Sequence, residues 1–221
     1  MVTLLHAFPQ LLSGLAATIA LSLVTLFIGT VLGFFFGIAR ALRIRILAEA
    51  IGLLIHVVRG TPFLVQLYIV YFVLPRTGLS IFDMSAATAA VIALSIYTST
   101  YAAEITRSAM EAVPLGQIEA AKALGLTLRQ RLSLVVLPQA RRLMVPPLGG
   151  LYVIIVKSTS IVSVVGIGEL VRAGDVIAMR APRDLFFVYG AVALLYFAYC
   201  FPLLRLARWL ELRSGRHLPI S

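Results

Sequence analysis

No lysine, arginine, aspartate or glutamate occurs before Arg40, and Leu11 to Ala39 form one unbroken uncharged run. A bilayer's hydrocarbon layer is crossed by about 20 apolar helical residues, so this run is long enough to span it. Length alone would permit one or two soluble domains. Composition excludes them: charged residues make up 13% of the 221, against roughly 25% in soluble domains. The mean hydropathy of +1.01 also excludes disorder, which requires low hydrophobicity. Cys200 is the single cysteine, so neither an internal disulfide nor a cysteine metal cluster can form. A net charge of +10 would suggest nucleic acid in a soluble chain. In one this apolar, basic cytoplasmic loops explain it better, and no nucleic-acid partner is expected. The expected class is an all-α integral membrane protein.

About five spans are expected: Leu11–Ala39, then roughly 51–74, 84–103, 143–168 and 185–204. The second is interrupted by His56 and by the step Arg59-Gly60-Thr61-Pro62, and the fourth by Lys157. No basic stretch precedes the first run, so a cleaved signal peptide is not expected. Basic residues mark the cytoplasmic side. With the C-terminus inside, that side holds Arg40, Arg43, Arg45, Arg107, Lys122, Arg129, Arg131, Arg141, Arg142, Arg205, Arg208, Arg213 and Arg216. The outer side keeps Arg76, Arg172, Arg180 and Arg183, so thirteen stand against four and the N-terminus is expected outside. Hydrophilic segments run from about 104 to 142 inside and from 169 to 184 outside. No linker, low-complexity tract or repeat divides the chain, and 1–221 reads as one domain.

The long inner segment reads as two short helices joined by a glycine. Pro114 and Gly116 punctuate its start, and Glu119 is expected in the first turn, where a carboxylate suits the positive end of the helix dipole. Ala120, Ala121 and Ala123 form helix readily and leave room for close approach by another protein. Gly125 can take the left-handed conformation that ends a helix. Thr127 with Gln130 makes a capping box for the second helix, and Leu137-Pro138 is expected to end it. On these grounds alone, a well-capped linker and a docking element fit equally.

Polar residues inside the apolar runs are the candidates for a solute pathway. Lys157 costs about 2.5–3.5 kcal/mol at a bilayer centre, so it either lines a pathway with Ser158, Thr159 and Ser160 or snorkels to an interface. Glu104 precedes Arg107 by three residues, which suits a helical ion pair. Arg59 sits at the step that breaks span two, and broken helices either line binding sites or are simple kinks. Gln66, Tyr97 and Thr98 could face a cavity, although tyrosines near span ends often anchor at the interface. Gly29, Gly33 and Gly37 lie on one helix face and suit close helix packing. His6, His56 and His217 are too scattered for a metal site, and no nucleophile–base set is present, so neither metal nor enzyme chemistry is expected.

Glu119-Ala120-Ala121, Gly125, Val135 and Leu137-Pro138 resemble the signature of ABC importer permeases. In it, Glu-Ala-Ala is followed by three residues, glycine, nine residues, an aliphatic (more often isoleucine), any residue and Leu-Pro. Gly14–Ser22, Arg59–Tyr71, Tyr101–Gln117 and Lys157–Gly166 are similar to the polar-amino-acid branch, the histidine, glutamine, arginine and opine permeases. The resemblance implies a transmembrane subunit whose residues 116–138 form a coupling helix pair. Glu119, Ala120, Ala121, Gly125, Leu137 and Pro138 would contact a dimer of separate ATPase subunits that bind ATP and magnesium. It implies a second permease subunit, identical or homologous, an extracytoplasmic solute-binding protein and a place in the bacterial inner membrane. Arg59, Gln66, Thr98, Glu104, Lys157, Ser158 and Thr159 would be candidates for the path of a small polar solute. Family members often carry an acid directly after the lysine; here Ser158 stands there, so no cationic substrate follows. No G-x-x-x-x-G-K-[ST] loop occurs, which fits ATP hydrolysis by a partner. An ion-gradient carrier and a non-transporting scaffold are the alternatives. Five spans without a repeat argue against the carrier, and Lys157 with a broken span two would be idle in the scaffold.

Overall fold

The computed structural model describes the backbone of residues 2–215 and the side chains of residues 7–213. The side chains of His6, Arg216 and His217 lie outside the described residues. Within those limits every regular element is helical. Helix α1 (Val2–Ala41) is followed by α2 (Arg45–Gly60) and α3 (Phe63–Tyr68), which continues through a π turn and a 3-10 turn to Thr77. After α4 (Ala86–Glu111) come α5 (Leu115–Ala123), α6 (Leu128–Arg131) and α7 (Leu137–Ser158). Helices α8 (Leu170–Arg180) and α9 (Leu185–Gly215) complete the chain.

Four stretches are long and apolar enough to cross a bilayer: Ala7–Ala41, Ala86–Glu111, Leu128–Val165 and Pro182–Arg213. The expected second span exists as a broken pair, α2 and α3, which meet at 109°. Pro62 explains the break, because it offers no N–H and forbids helical geometry in Thr61, whose ψ is 148°.

Helix α4 is the central post, and the stripe of glycines on α1 sets how closely it is approached. A Cβ on Gly29 would lie 2.5 Å from the Thr98 Cβ, and one on Gly33 would lie 2.5 Å from the Ala102 Cβ. Gly37 meets Thr106 in the same way. Both stripes advance by four residues, so the two helices mesh over two full turns. The opposite face of α1, with Leu23, Phe27 and Phe35, is exposed and suits lipid. Helix α9 packs on α7 by the same device, Gly149 against Ala207.

Three expectations change. Glu119 stands in the second turn of α5, because the helix begins at Leu115 directly after Pro114. Leu137-Pro138 does not end the helix that starts at Leu128; the helix runs on through Ser158. A π turn over Leu132–Val136 makes this possible, with the Leu137 N–H donating to the Leu132 carbonyl five residues back. The widened turn removes the carbonyl that the proline ring would strike. The Gln139 side-chain amide donates to the Val135 carbonyl at 3.1 Å. The third change concerns the helix of the fourth span, which is continuous from Leu128, well before Leu143, and turns into a 3-10 segment over Thr159–Val165, directly after Lys157 and Ser158.

Gly33→Val should destabilise the bundle by about 1–3 kcal/mol through overpacking against Ala102. Thermal unfolding of the solubilised protein checks this, and an unshifted midpoint would count against the meshed stripes.

Candidate functional site

The hairpin of α5 and α6 closes one end of the bundle. Its joint combines a stop and a start signal. Gly125 takes φ +75°, its N–H donates to the Lys122 carbonyl at 2.9 Å, and the Leu126 N–H donates to the Ala121 carbonyl at 3.1 Å. That pair of bonds is a Schellman motif. Two residues on, the Thr127 N–H and the Gln130 side chain, and the Gln130 N–H and the Thr127 hydroxyl, bond reciprocally. The joint is therefore held without help from neighbours. Ile118, Val113, Met110 and Val136 root it in a core shared with α1 and α4. Glu119, Ala120, Gly125 and Pro138 remain exposed, and Leu137 is half-buried. Leu124 is 80% exposed and Leu115 74%. Two bare leucines beside a carboxylate on a rigid knuckle make a surface suited to a protein partner.

The pathway candidates separate into three groups. Arg59 and Glu104 line one cavity of about 450 Å³, together with Tyr101, Ser108, Leu143 and Pro147. The Arg59 guanidinium carbon lies 4.7 Å from the Tyr101 ring centroid, a cation–π contact. Tyr101 in turn meets the Tyr97 hydroxyl at 3.3 Å, and the Tyr97 ring packs on Phe63. Glu104 pairs with Arg107, as its spacing suggests, and also with Arg40 of α1 at 2.5 Å. Arg107 extends the network to Glu111 at 2.5 Å. The glutamate is thus matched by two arginines, and Arg59 makes no ion pair among the described residues.

Lys157 lines a second groove, of about 580 Å³, with Ser160, Tyr189, Tyr196, Phe197 and Phe201. Its α7 neighbours Val153 and Val156 pack on Cys200. The lysine, in the last turn of α7, therefore sits level with the apolar body of α9. It too lacks an ion-pair partner among the described residues.

Gln66, Thr98, Ser158 and Thr159 line neither cavity. Thr98 and Thr159 are fully buried, and each hydroxyl donates at 2.7 Å to a carbonyl of its own helical segment. Thr98 occupies the α1–α4 seam, where it packs against Gly29. Ser158 donates to the Ile154 carbonyl at 3.0 Å. Gln66 mends the break between α2 and α3. Its amide donates to the Val58 carbonyl at 2.6 Å and to the Thr61 carbonyl at 3.0 Å. Val58 is the residue whose carbonyl an N–H at position 62 would have served, and Pro62 has none. The glutamine replaces the missing donor.

Sequence reasoning misses Tyr101 and the second partner of Glu104. The signals are present in the chain: Tyr101 follows Tyr97 by one turn, and Arg40 is the first charge after the glycine stripe that faces α4.

Residues 29–216 match the profile of a family described as binding-protein-dependent transport system inner membrane component. A probable amino-acid ABC transporter permease of Bacillus subtilis is 37% identical over 89% of this chain and 85% of its own length. The glutamine transport system permease protein of Escherichia coli is 37% identical over 94% of each chain. Among solved structures, an amino acid ABC transporter crystallised with histidines superposes with a TM-score of 0.87 at 34% identity, covering 96% of this chain and 97% of that one. An inward-facing methionine ABC transporter shares the fold, with a TM-score of 0.72 at 22% identity over 91% and 96% of the two chains.

Gln66→Leu should leave the Val58 carbonyl unpartnered in an apolar setting, at a cost of about 1–3 kcal/mol. Lower folded yield and a lower unfolding midpoint are expected, with Gln66→Glu no better, because a carboxylate offers no donor. Parental stability of Gln66→Leu would show that water already serves the break.

Proposed function

The chain belongs to the family of binding-protein-dependent transport system inner membrane components, and on that premise we propose how its parts divide the work of an amino-acid ABC importer. It is the multi-pass permease subunit. ATP hydrolysis lies with separate subunits, and the hairpin over residues 116–138 is where they would dock. One observation carries this assignment: a self-capped knuckle rooted in the helical core presents Glu119, Ala120 and Leu124 outward. A rigid joint transmits displacement, whereas a floppy one would absorb it.

The hairpin end is then cytoplasmic, in agreement with the excess of arginine there, and the C-terminus of α9 lies on the same side. The opposite end, with α8 and the Leu74–Phe82 turns, would receive an extracytoplasmic solute-binding protein, and the membrane would be the bacterial inner one. A second permease, identical or homologous, would complete the pathway.

Arg59 and Lys157 support a solute that bears a carboxylate. Each stands at the wall of a mostly apolar cavity, and each is a cation without an ion-pair partner among the described residues. A carboxylate would offset part of the cost of holding them there. Glu104, already shared by two arginines, serves to hold α1 against α4 instead of binding an ammonium group. A polar amino acid fits this arrangement.

Gly125→Val and Glu119→Ala should insert and assemble normally, yet lower ATP-dependent amino-acid uptake at least about tenfold in proteoliposomes. No side chain stands within 4 Å of a Cβ at Gly125. The valine therefore acts by making the left-handed backbone costly, not by a clash. Uptake and ATP hydrolysis coupled as in the parent would refute the docking assignment.

A further inference from the structure

Where α8 begins, helices from three parts of the chain converge on a carboxyl group shut off from solvent. Glu169 is 0% exposed. Its Oε1 accepts from the Arg172 N–H at 2.8 Å, and its Oε2 from the Val171 N–H at 2.9 Å and the Tyr196 hydroxyl at 3.0 Å. The adjoining Leu170 N–H donates to the Thr18 hydroxyl of α1 at 3.1 Å. Small residues bring the three helices together. A Cβ on Gly14 of α1 would lie 2.8 Å from the Ala173 Cβ, and one on Gly174 would lie 2.8 Å from a methyl of Val192 on α9.

Capping alone does not call for this residue. Serine, threonine, aspartate and asparagine are the preferred helix N-caps, and they are shorter. The added reach of glutamate serves a second purpose, since Oε2 spans from the α8 amides to the hydroxyl on α9. Among the described residues no arginine or lysine pairs with it. Its oxygens are met by oriented amides and a phenol, as a buried carboxyl group requires. On the chain side, the Glu169 N–H donates to the Ile167 carbonyl at 2.9 Å, just after Gly166 closes the 3-10 segment that leaves Lys157.

We infer that Glu169 is a positioning residue of the transport cycle. It clasps α8 to α9 and, through the neighbouring Leu170–Thr18 bond, to α1. These elements and the stretch leading from Lys157 then follow nucleotide binding as one body. The inference rests on the importer reading for its link to nucleotide, while the clasp itself stands on geometry.

Hydrogen exchange on the assembled complex, without nucleotide and with ATP plus vanadate, tests it in the parent, Glu169→Gln and Tyr196→Phe. Without nucleotide, amides of residues 170–173 should exchange up to about tenfold faster in both variants, because Glu169→Gln loses one carboxylate acceptor at the cap and Tyr196→Phe frees the start of α8 from α9, so that it opens more often. With nucleotide, protection of the hairpin at 115–136 should change as in the parent, while residues 170–180 no longer follow it. Parental exchange at 170–180 in both states would overturn the clasp. If Glu169→Gln does not assemble, Tyr196→Phe decides, because it leaves the cap on α8 intact. If nucleotide leaves even the parental hairpin unaltered, the importer reading fails, and the nucleotide-free comparison still decides the clasp.

Discussion

Water is absent from the hydrocarbon layer, so a backbone amide or carbonyl released from a helix there must find its partner inside the protein. That demand organises three irregular points among the described residues. At Pro62 the partner is the Gln66 amide. At Pro138 a π turn moves the threatened carbonyl, and Gln139 takes up another. At the start of α8, Glu169 and Thr18 receive three amides between them. In each case the replacement is a side chain close by in sequence or packed against the break, so the helix can bend or restart without exposing a polar group to lipid. A bend held by side chains also differs from one held by a backbone ladder: it can change partner without unfolding its neighbours.

The second organising fact is that α4 has no large side chains to spare on the face it turns to α1. Thr98, Ala102 and Thr106 meet Gly29, Gly33 and Gly37 so closely that a single added methyl group would overlap. Lipid tails are as apolar as leucine, so helix association in a bilayer gains little from burial and depends on close contact and interhelical polar bonds. The seam supplies the contact. The Arg40–Glu104 bond at its end and the Thr30–Tyr152 bond at 3.1 Å to α7 supply the polar links. Because that seam is continuous, α1 and α4 form a fixed frame. The hairpin is rooted in the frame at one end and α8 is set against α1 at the other.

How much of this can be read from the chain follows from the range over which each signal acts. Local signals carry through: the hairpin joint at Gly125, the Thr127–Gln130 cap, the break at Pro62 and the i,i+3 pair of Glu104 all depend on residues within a turn or two. The seam is legible as a glycine stripe, but its partner is not, since nothing local to Gly33 names Ala102. The bonds of Thr98 and Thr159 are hidden for a related reason: a hydroxyl in an apolar run looks the same from sequence whether it faces a cavity or bonds its own helix. Glu169 reads as part of a hydrophilic outer segment, because burial of a lone acid depends on Thr18 and Tyr196, far away along the chain. Pro138 misleads because helix-breaking is a rule for regular α-helices, and a π turn changes the geometry on which it rests.

The two ends of the molecule are built to different standards, and the difference is physically required. At the hairpin end, polar groups can reach water, so leucines and a carboxylate can remain exposed on a joint held by its own caps. At the α8 end, the corresponding joint is sealed, and its one acid is surrounded by donors. A surface meant to be gripped by another protein must be rigid without being filled. A joint enclosed by three helices must be filled before it can be rigid. The sealed joint lies one short 3-10 segment from Lys157 and the open one roots in the frame that carries Glu104. On the proposed docking of the knuckle, that frame and that segment are the parts through which displacement would reach Arg59 and Lys157, the cations without an ion-pair partner among the described residues.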